Sequence, residues 1–214
     1  MSTKQTYTRC ALQVLALLGV LGSGGAWGQA PLVAYKSATG CQFYIQTTPT
    51  TLEKRIKNFV GQCNGGYYQG AIVFGESIDY RSSSGGVTTV NRVTAGVVVD
   101  GKFQGIYVNL VPGLGNVWDA KSQQLVTQLD FRKGLSARDA IKQISDTASV
   151  KSVTFDAAEQ GHIESVLNNF TRNADSFMAQ YLNGATAKTP FPALYKTTPK
   201  SLAAMRRVGN SLRS

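Results

Sequence analysis

The stretch FVGQCNGGYYQGAI, Phe59 to Ile72, decides the fold, because its glycine spacing returns once further along the chain. It reads Phe59-x-Gly61-x-Cys63-x-x-Gly66-x-x-x-Gly70. The second copy, 35 residues on, reads Thr94-x-Gly96-x-Val98-x-x-Gly101-x-x-x-Gly105. Each copy spells a β-hairpin: a strand with a glycine, a reversal at Gly65-Gly66 or Asp100-Gly101, and a return strand with another glycine. Gly-Gly and Asp-Gly supply the positive φ that a two-residue hairpin turn demands. β-branched and aromatic residues flank both reversals, so spacing and context agree on a repeat.

Outward from the hairpins, Leu32 to Tyr35 and Gln42 to Thr47 read as short strands around Gly40, and Leu52 to Gln62 as a longer strand. In the latter, Glu53, Lys54, Arg55 and Lys57 are expected to be mostly solvated. Ile78 to Arg81 and Val87 to Thr94 flank a Ser/Gly turn at 82–86, and Ile106, Val108 and Leu110 alternate with Tyr107 and Asn109. Past Pro112, Gly113 and Gly115, the residues Leu125, Thr127, Leu129 and Phe131 are expected on one strand face. After Gly134 the period turns helical: Ser136 caps a stripe of Ala140, Ile141 and Ile144. Val150 to Phe155 reads as one further strand. Asp156 with Glu159 then caps the longest helix, whose stripe is Ile163, Leu167, Phe170, Ala174, Phe177 and Tyr181, with a stop at Asn183-Gly184. The fold class is α+β: an antiparallel sheet of β-hairpins followed by a C-terminal helical part. The boundaries expected are a signal segment over 1–28, a β-rich domain over 29–132, a helical region packing on the sheet over 133–184, and a linker with a basic tail over 185–214.

The signal segment rests on Lys4 and Arg9 ahead of an apolar run from Ala11 to Leu21, then small residues with cleavage after Gly28. The run is short for a membrane span, although an N-terminal anchor helix is the rival reading, so no transmembrane span is expected once the signal is removed. The 22 basic residues less those two leave 20 against 12 acidic, a net charge of +8 on the exported part. Such a balance attracts anionic surfaces, or serves solubility alone. Cys41 and Cys63 remain, an even pair. In an oxidising compartment they are expected to form a disulfide worth roughly 3 kcal/mol by restricting the unfolded chain. Free thiols or a metal pair are the alternatives, with one histidine and no CxxC to support the latter.

The glycine pattern resembles the MORN repeat, aromatic-x-Gly-x-aromatic-x-x-Gly-x-x-x-Gly-x-Gly. Phe59, Gly61, Cys63, Gly66 and Gly70 fall on its first five marked positions, with Cys63 in place of an aromatic and Ile72 in place of the last glycine. In the second copy Gly96, Gly101 and Gly105 match and Thr94, Val98 and Tyr107 depart. The chain is also similar to MORN-like extracytoplasmic proteins of Proteobacteria, where a Gly-Cys such as Gly40-Cys41 precedes a Gly-x-Cys such as Gly61-Gln62-Cys63. The likeness spans residues 40–107, with an insertion near Ser82 to Gly86 accounting for the long period. It implies stacked hairpins used as a scaffold or contact surface, and no catalytic residue.

Candidate contact residues are therefore Tyr67, Tyr68, Phe103 and Tyr107 on the hairpins, with packing under the long helix as the competing role. In the tail, Arg206 and Arg207 are candidates for an anionic surface, on a short amphipathic helix or a frayed end. His162 is expected on an exposed helix face without catalytic partners. Glu76 and Asp79, three apart, fall on opposite strand faces and make no hydrolytic pair. Gly113-Leu-Gly115 has Trp118 where a dinucleotide fingerprint needs glycine. The Asn169-Phe-Thr171 sequon sits inside a helix, and Tyr35-Lys36 and Tyr195-Lys196 are too sparse for a nucleic-acid platform. The expectation is a periplasmic or secreted, non-enzymatic scaffold or binding protein of the cell envelope. It needs no cofactor, metal or specific nucleic acid, and its partner is an unknown envelope protein or an anionic surface. The alternatives are an enzyme on envelope polymers, or membrane or polyanion binding through the tail.

Overall fold

The computed structural model describes residues 32–37, 40–46, 51–83 and 85–183. The expected cleavage site and the tail with Arg206 and Arg207 lie outside the described residues. Eight strands form one sheet: β1 (Leu32–Lys36), β2 (Gln42–Gln46), β3 (Thr51–Asn64), β4 (Tyr67–Arg81), β5 (Val87–Val99), β6 (Lys102–Val111), β7 (Leu114–Asp119) and β8 (Leu125–Asp130). From β3 to β8 each strand pairs antiparallel with the next. The β1–β2 hairpin joins through one parallel bridge, Gln42 to Tyr67. Three helices follow, α1 (Ala137–Val150), α2 (Ala157–Arg172) and α3 (Ala174–Leu182). The α+β architecture is the one expected.

The two glycine-marked hairpins are equivalent in detail. Both central turn residues have positive φ in each, Gly65 at 61° and Gly66 at 82°, Asp100 at 49° and Gly101 at 73°, the signature of a type I′ turn. In each, the register then slips on the return strand. Val60 pairs with Val73 but Gln62 with Gln69, and Gly96 pairs with Tyr107 but Val97 with Gln104. Gly70 at φ 74° and Gly105 at φ 51° sit in these bulges. The outgoing glycines match as well. A Cβ on Gly61 would lie 2.8 Å from Ile72 and 3.3 Å from Tyr68, while one on Gly96 would lie 2.8 Å from Tyr107 and 3.0 Å from Phe103, the same positions displaced by 35. A side chain at either position would crowd the facing strand, at Ile72 in the first hairpin and at Tyr107 in the second.

The helices cover one sheet face. Val73, Val93, Ala95, Ile106, Val108, Leu110 and Val117 meet Ala140, Ile144, Ile163, Leu167 and Phe170 in one core. Each large apolar side chain so buried is worth about 1.5–3 kcal/mol. On the opposite face a second cluster forms around Phe43, Tyr68, Ile72, Phe74 and Val98, covered by the β1–β2 hairpin. That hairpin is tied down by the Cys41–Cys63 disulfide, with Cα atoms 5.9 Å apart. The bridge expected from the cysteine count is present.

Three local expectations need correction. The long helix is two helices: Asn173 (φ −158°, ψ 89°) leaves the helical region and its side chain accepts from the Ser176 N–H, capping a new start. The apolar stripe continues across the break, with Phe170 and Phe177 rings 5.7 Å apart. Residues 150–155 are no strand. Val150 ends α1 with 86% exposure, and the N–H groups of Lys151 and Val153 close the helix end on Thr147 and Ala148 carbonyls. In β8, a register shift beside Trp118 brings Val126 rather than Leu125 or Thr127 into the core with Leu129, and Phe131 belongs to a 3-10 turn.

Candidate functional site

The four hairpin aromatics fall in three settings. Tyr68 is buried, its ring 3.9 Å from that of Phe59 and 5.9 Å from that of Phe43, so it is a core residue. Tyr67 is half-buried and stacks on Tyr44. Phe103 and Tyr107 are half-buried, stacked with centroids 4.7 Å apart, and line a cleft of about 920 Å³. The β-period explains the placement: on β6, Tyr107 and Asn109 point away from the helices while Ile106, Val108 and Leu110 point toward them.

The same cleft is lined by Glu76, Arg92, Thr94 and Asn109, members of a charge cluster that Lys54 on a fourth strand completes. Glu76 on β4 accepts from Arg92 Nε on β5 through Oε1, and its Oε2 lies 3.0 Å from Lys54 Nζ on β3. Thr94 Oγ1 sits between Glu76 Oε1 at 2.7 Å and Asn109 Oδ1 on β6 at 2.8 Å. Glu76 is opposite Arg92 and Thr94 opposite Asn109 in the ladder, so cross-strand register makes the cluster. Burial by itself would push the Glu76 carboxyl up, but Arg92 and then Lys54 outweigh it and hold the group at about 2. Burial pulls Lys54 below the ordinary lysine range despite Glu76, so the cost of enclosing the cluster falls on the lysine. Lys54, expected in solvent, has a side chain only 9% exposed, because it shares a strand face with Glu76. Asp79 takes the other face and pairs with Arg55, which leaves Glu76 and Asp79 apart as expected. Burial pushes the Tyr107 hydroxyl up to about 12, so it remains a donor at physiological pH.

At the far end of the cleft, α2 seals both hairpin bulges from its first two turns. His162, expected to be exposed, is buried, with Nε2 3.0 Å from the Ile72 carbonyl oxygen in the first bulge. A carbonyl only accepts, so Nε2 carries the proton, and burial lowers the imidazole to about 4, keeping it neutral. The reason the sequence reading failed is tertiary: the bulge frees a carbonyl that a side chain three residues beyond Glu159 can reach. Glu159 forms the capping box with Asp156 and accepts from the Ile106 N–H in the second bulge. Its carboxylate lies where a Gly105 Cβ would be. Burial, and then Asp156, raise it to about 8. Glu159 and His162 are thus each engaged with backbone groups, in positions that hold the two hairpin bulges.

Among the described residues no group of three or more His, Cys, Asp or Glu side chains could hold a metal ion, and no helix is long and apolar enough to cross a membrane. No family model, curated protein or solved structure matches the chain.

Proposed function

We propose that this chain is an exported, non-enzymatic binding module of the cell envelope, related in its hairpins to the MORN-like extracytoplasmic proteins, whose contact surface is the cleft walled by Phe103 and Tyr107. The observation that carries the reading is that a stacked aromatic pair and a hydrogen-bonded polar cluster line one cleft, the usual composition of a binding site. The disulfide supports an oxidising compartment. The position-for-position match of the two hairpins supports the repeat on which the MORN likeness rests. The commitment of His162 and Glu159 to backbone groups favours binding over turnover.

The test is retention of envelope material on the immobilised full chain, compared with a Tyr107→Ala variant of unchanged melting temperature. Retention lost in the variant is the expected result. Equal retention by both proteins would overturn the reading, as would turnover of an envelope polymer that Glu159→Gln abolishes.

A further inference from the structure

The guanidinium of Arg92 is incompletely used. Its Nε donates to Glu76, and among the described residues neither Nη nitrogen makes a hydrogen bond. The side chain keeps 23% exposure and lines the cleft. An arginine fork with two free parallel donors suits a planar or tetrahedral oxyanion.

The neighbours of Arg92 define the rest of the ligand. Tyr107 lines the same cleft as Arg92, and its stacked partner Phe103 continues the wall toward Phe74. Their rings offer a flat apolar surface. Asn109 adds a polar contact: Thr94 has one hydroxyl hydrogen, the Glu76 carboxylate is its stronger acceptor, and the Asn109 amide is left with hydrogen-bonding capacity to spare.

Resting on the binding-module reading above, we infer that the cleft takes a ligand bearing an oxyanion, carboxylate or phosphate, on a flat ring, the oxyanion on the Nη groups of Arg92 and the ring against Phe103 and Tyr107. The basic excess of the chain would draw such a ligand in, and the Arg92 fork would orient it.

The experiment is calorimetric titration of the full chain at constant ionic strength with four probes: benzoate, phenyl phosphate, inorganic phosphate and benzyl alcohol. Benzoate or phenyl phosphate is expected to bind saturably, each tighter than the probe that lacks its ring or its charge, and the tighter of the two tells a carboxylate ligand from a phosphate one. Arg92→Lys keeps a cation for Glu76 but loses the fork, and should weaken the ring oxyanions roughly 10–100-fold. Tyr107→Leu should weaken the ring probes while leaving inorganic phosphate unchanged, which a merely structural loss would not do. If Arg92→Lys does not fold, the four-probe ranking on the unaltered chain and the Tyr107→Leu split decide. Benzyl alcohol binding as tightly as benzoate, phosphate as tightly as phenyl phosphate, or no saturable binding of any probe would overturn the inference. Probe failure alongside Tyr107-dependent retention of envelope material removes the ring oxyanion alone, whereas probe binding without such retention removes the envelope partner alone.

Discussion

Replacing Glu76 by glutamine tests the polar cluster most directly, because the change keeps shape and removes one charge. In the folded protein Glu76 is 1% exposed, accepts from Arg92 and Thr94, and faces Lys54 at 3.0 Å. Glutamine removes the negative charge that Arg92 and Lys54 share. Breaking a buried pair in this way costs about 3–5 kcal/mol. In a domain of this size each kcal/mol shifts Tm by roughly 2–4 °C, so Glu76→Gln should melt roughly 6–20 °C lower at pH 7. The pH dependence gives an independent check. The folded carboxyl sits at about 2 against an ordinary 4.5, so its stabilisation is fully present above pH 4.5 and is lost as the pH falls toward 2. That difference corresponds to about 3 kcal/mol for the carboxylate's own share. Chemical denaturation of both proteins between pH 2 and pH 7 should therefore show a gap that is widest at neutrality and closes on acidification. A variant within about 1 kcal/mol of the parent at pH 7, or a gap independent of pH, would refute the account of the cluster.

Glu159 titrates with the opposite sign: its folded value of about 8 lies above the ordinary 4.5, so folding favours the protonated form and stability should decline as pH rises from 4.5 to about 8. Glu159→Gln should flatten that decline, read from melts across the same range. Gly105→Ala should destabilise more than Gly65→Ala, since both glycines have positive φ but only Gly105 has a carboxylate in the Cβ position, and Gly65 faces open space at a cost of about 1 kcal/mol. Paired denaturation curves would show equal losses if the Glu159 contact were unimportant. Removing the Cys41–Cys63 bridge with a Cys41→Ser, Cys63→Ser double variant should cost roughly 3 kcal/mol and loosen the β1–β2 hairpin first, which limited proteolysis within 32–46 would report. Resistance equal to the parent would show that the hydrophobic cluster around Phe43 holds the hairpin alone.

Much of the architecture was legible in the chain because it is encoded within a few residues of where it acts. Gly65-Gly66 and Asp100-Gly101 turn the backbone through conformations their neighbours would resist, Ser136 and Asp156 satisfy helix N–H groups three residues ahead, and the Cys41–Cys63 pair needed only an oxidising compartment to be read. The break at Asn173 was legible too, as an asparagine ahead of Ser176, but the unbroken apolar stripe hid it. The site was written differently. Glu76 meets Arg92 across 16 residues, Thr94 meets Asn109 across 15, and His162 reaches Ile72 across 90. The first two meetings depend on which residues stand opposite one another in the β4–β5 and β5–β6 ladders, where a slip of one residue would turn each side chain to the other face, and the third on a helix laid over the bulge at Ile72. Local chemistry alone determined that this chain makes hairpins and then helices. Only the assembled sheet, through its register and the helix laid across its bulges, decided which polar groups share a cleft and which are spent on the backbone.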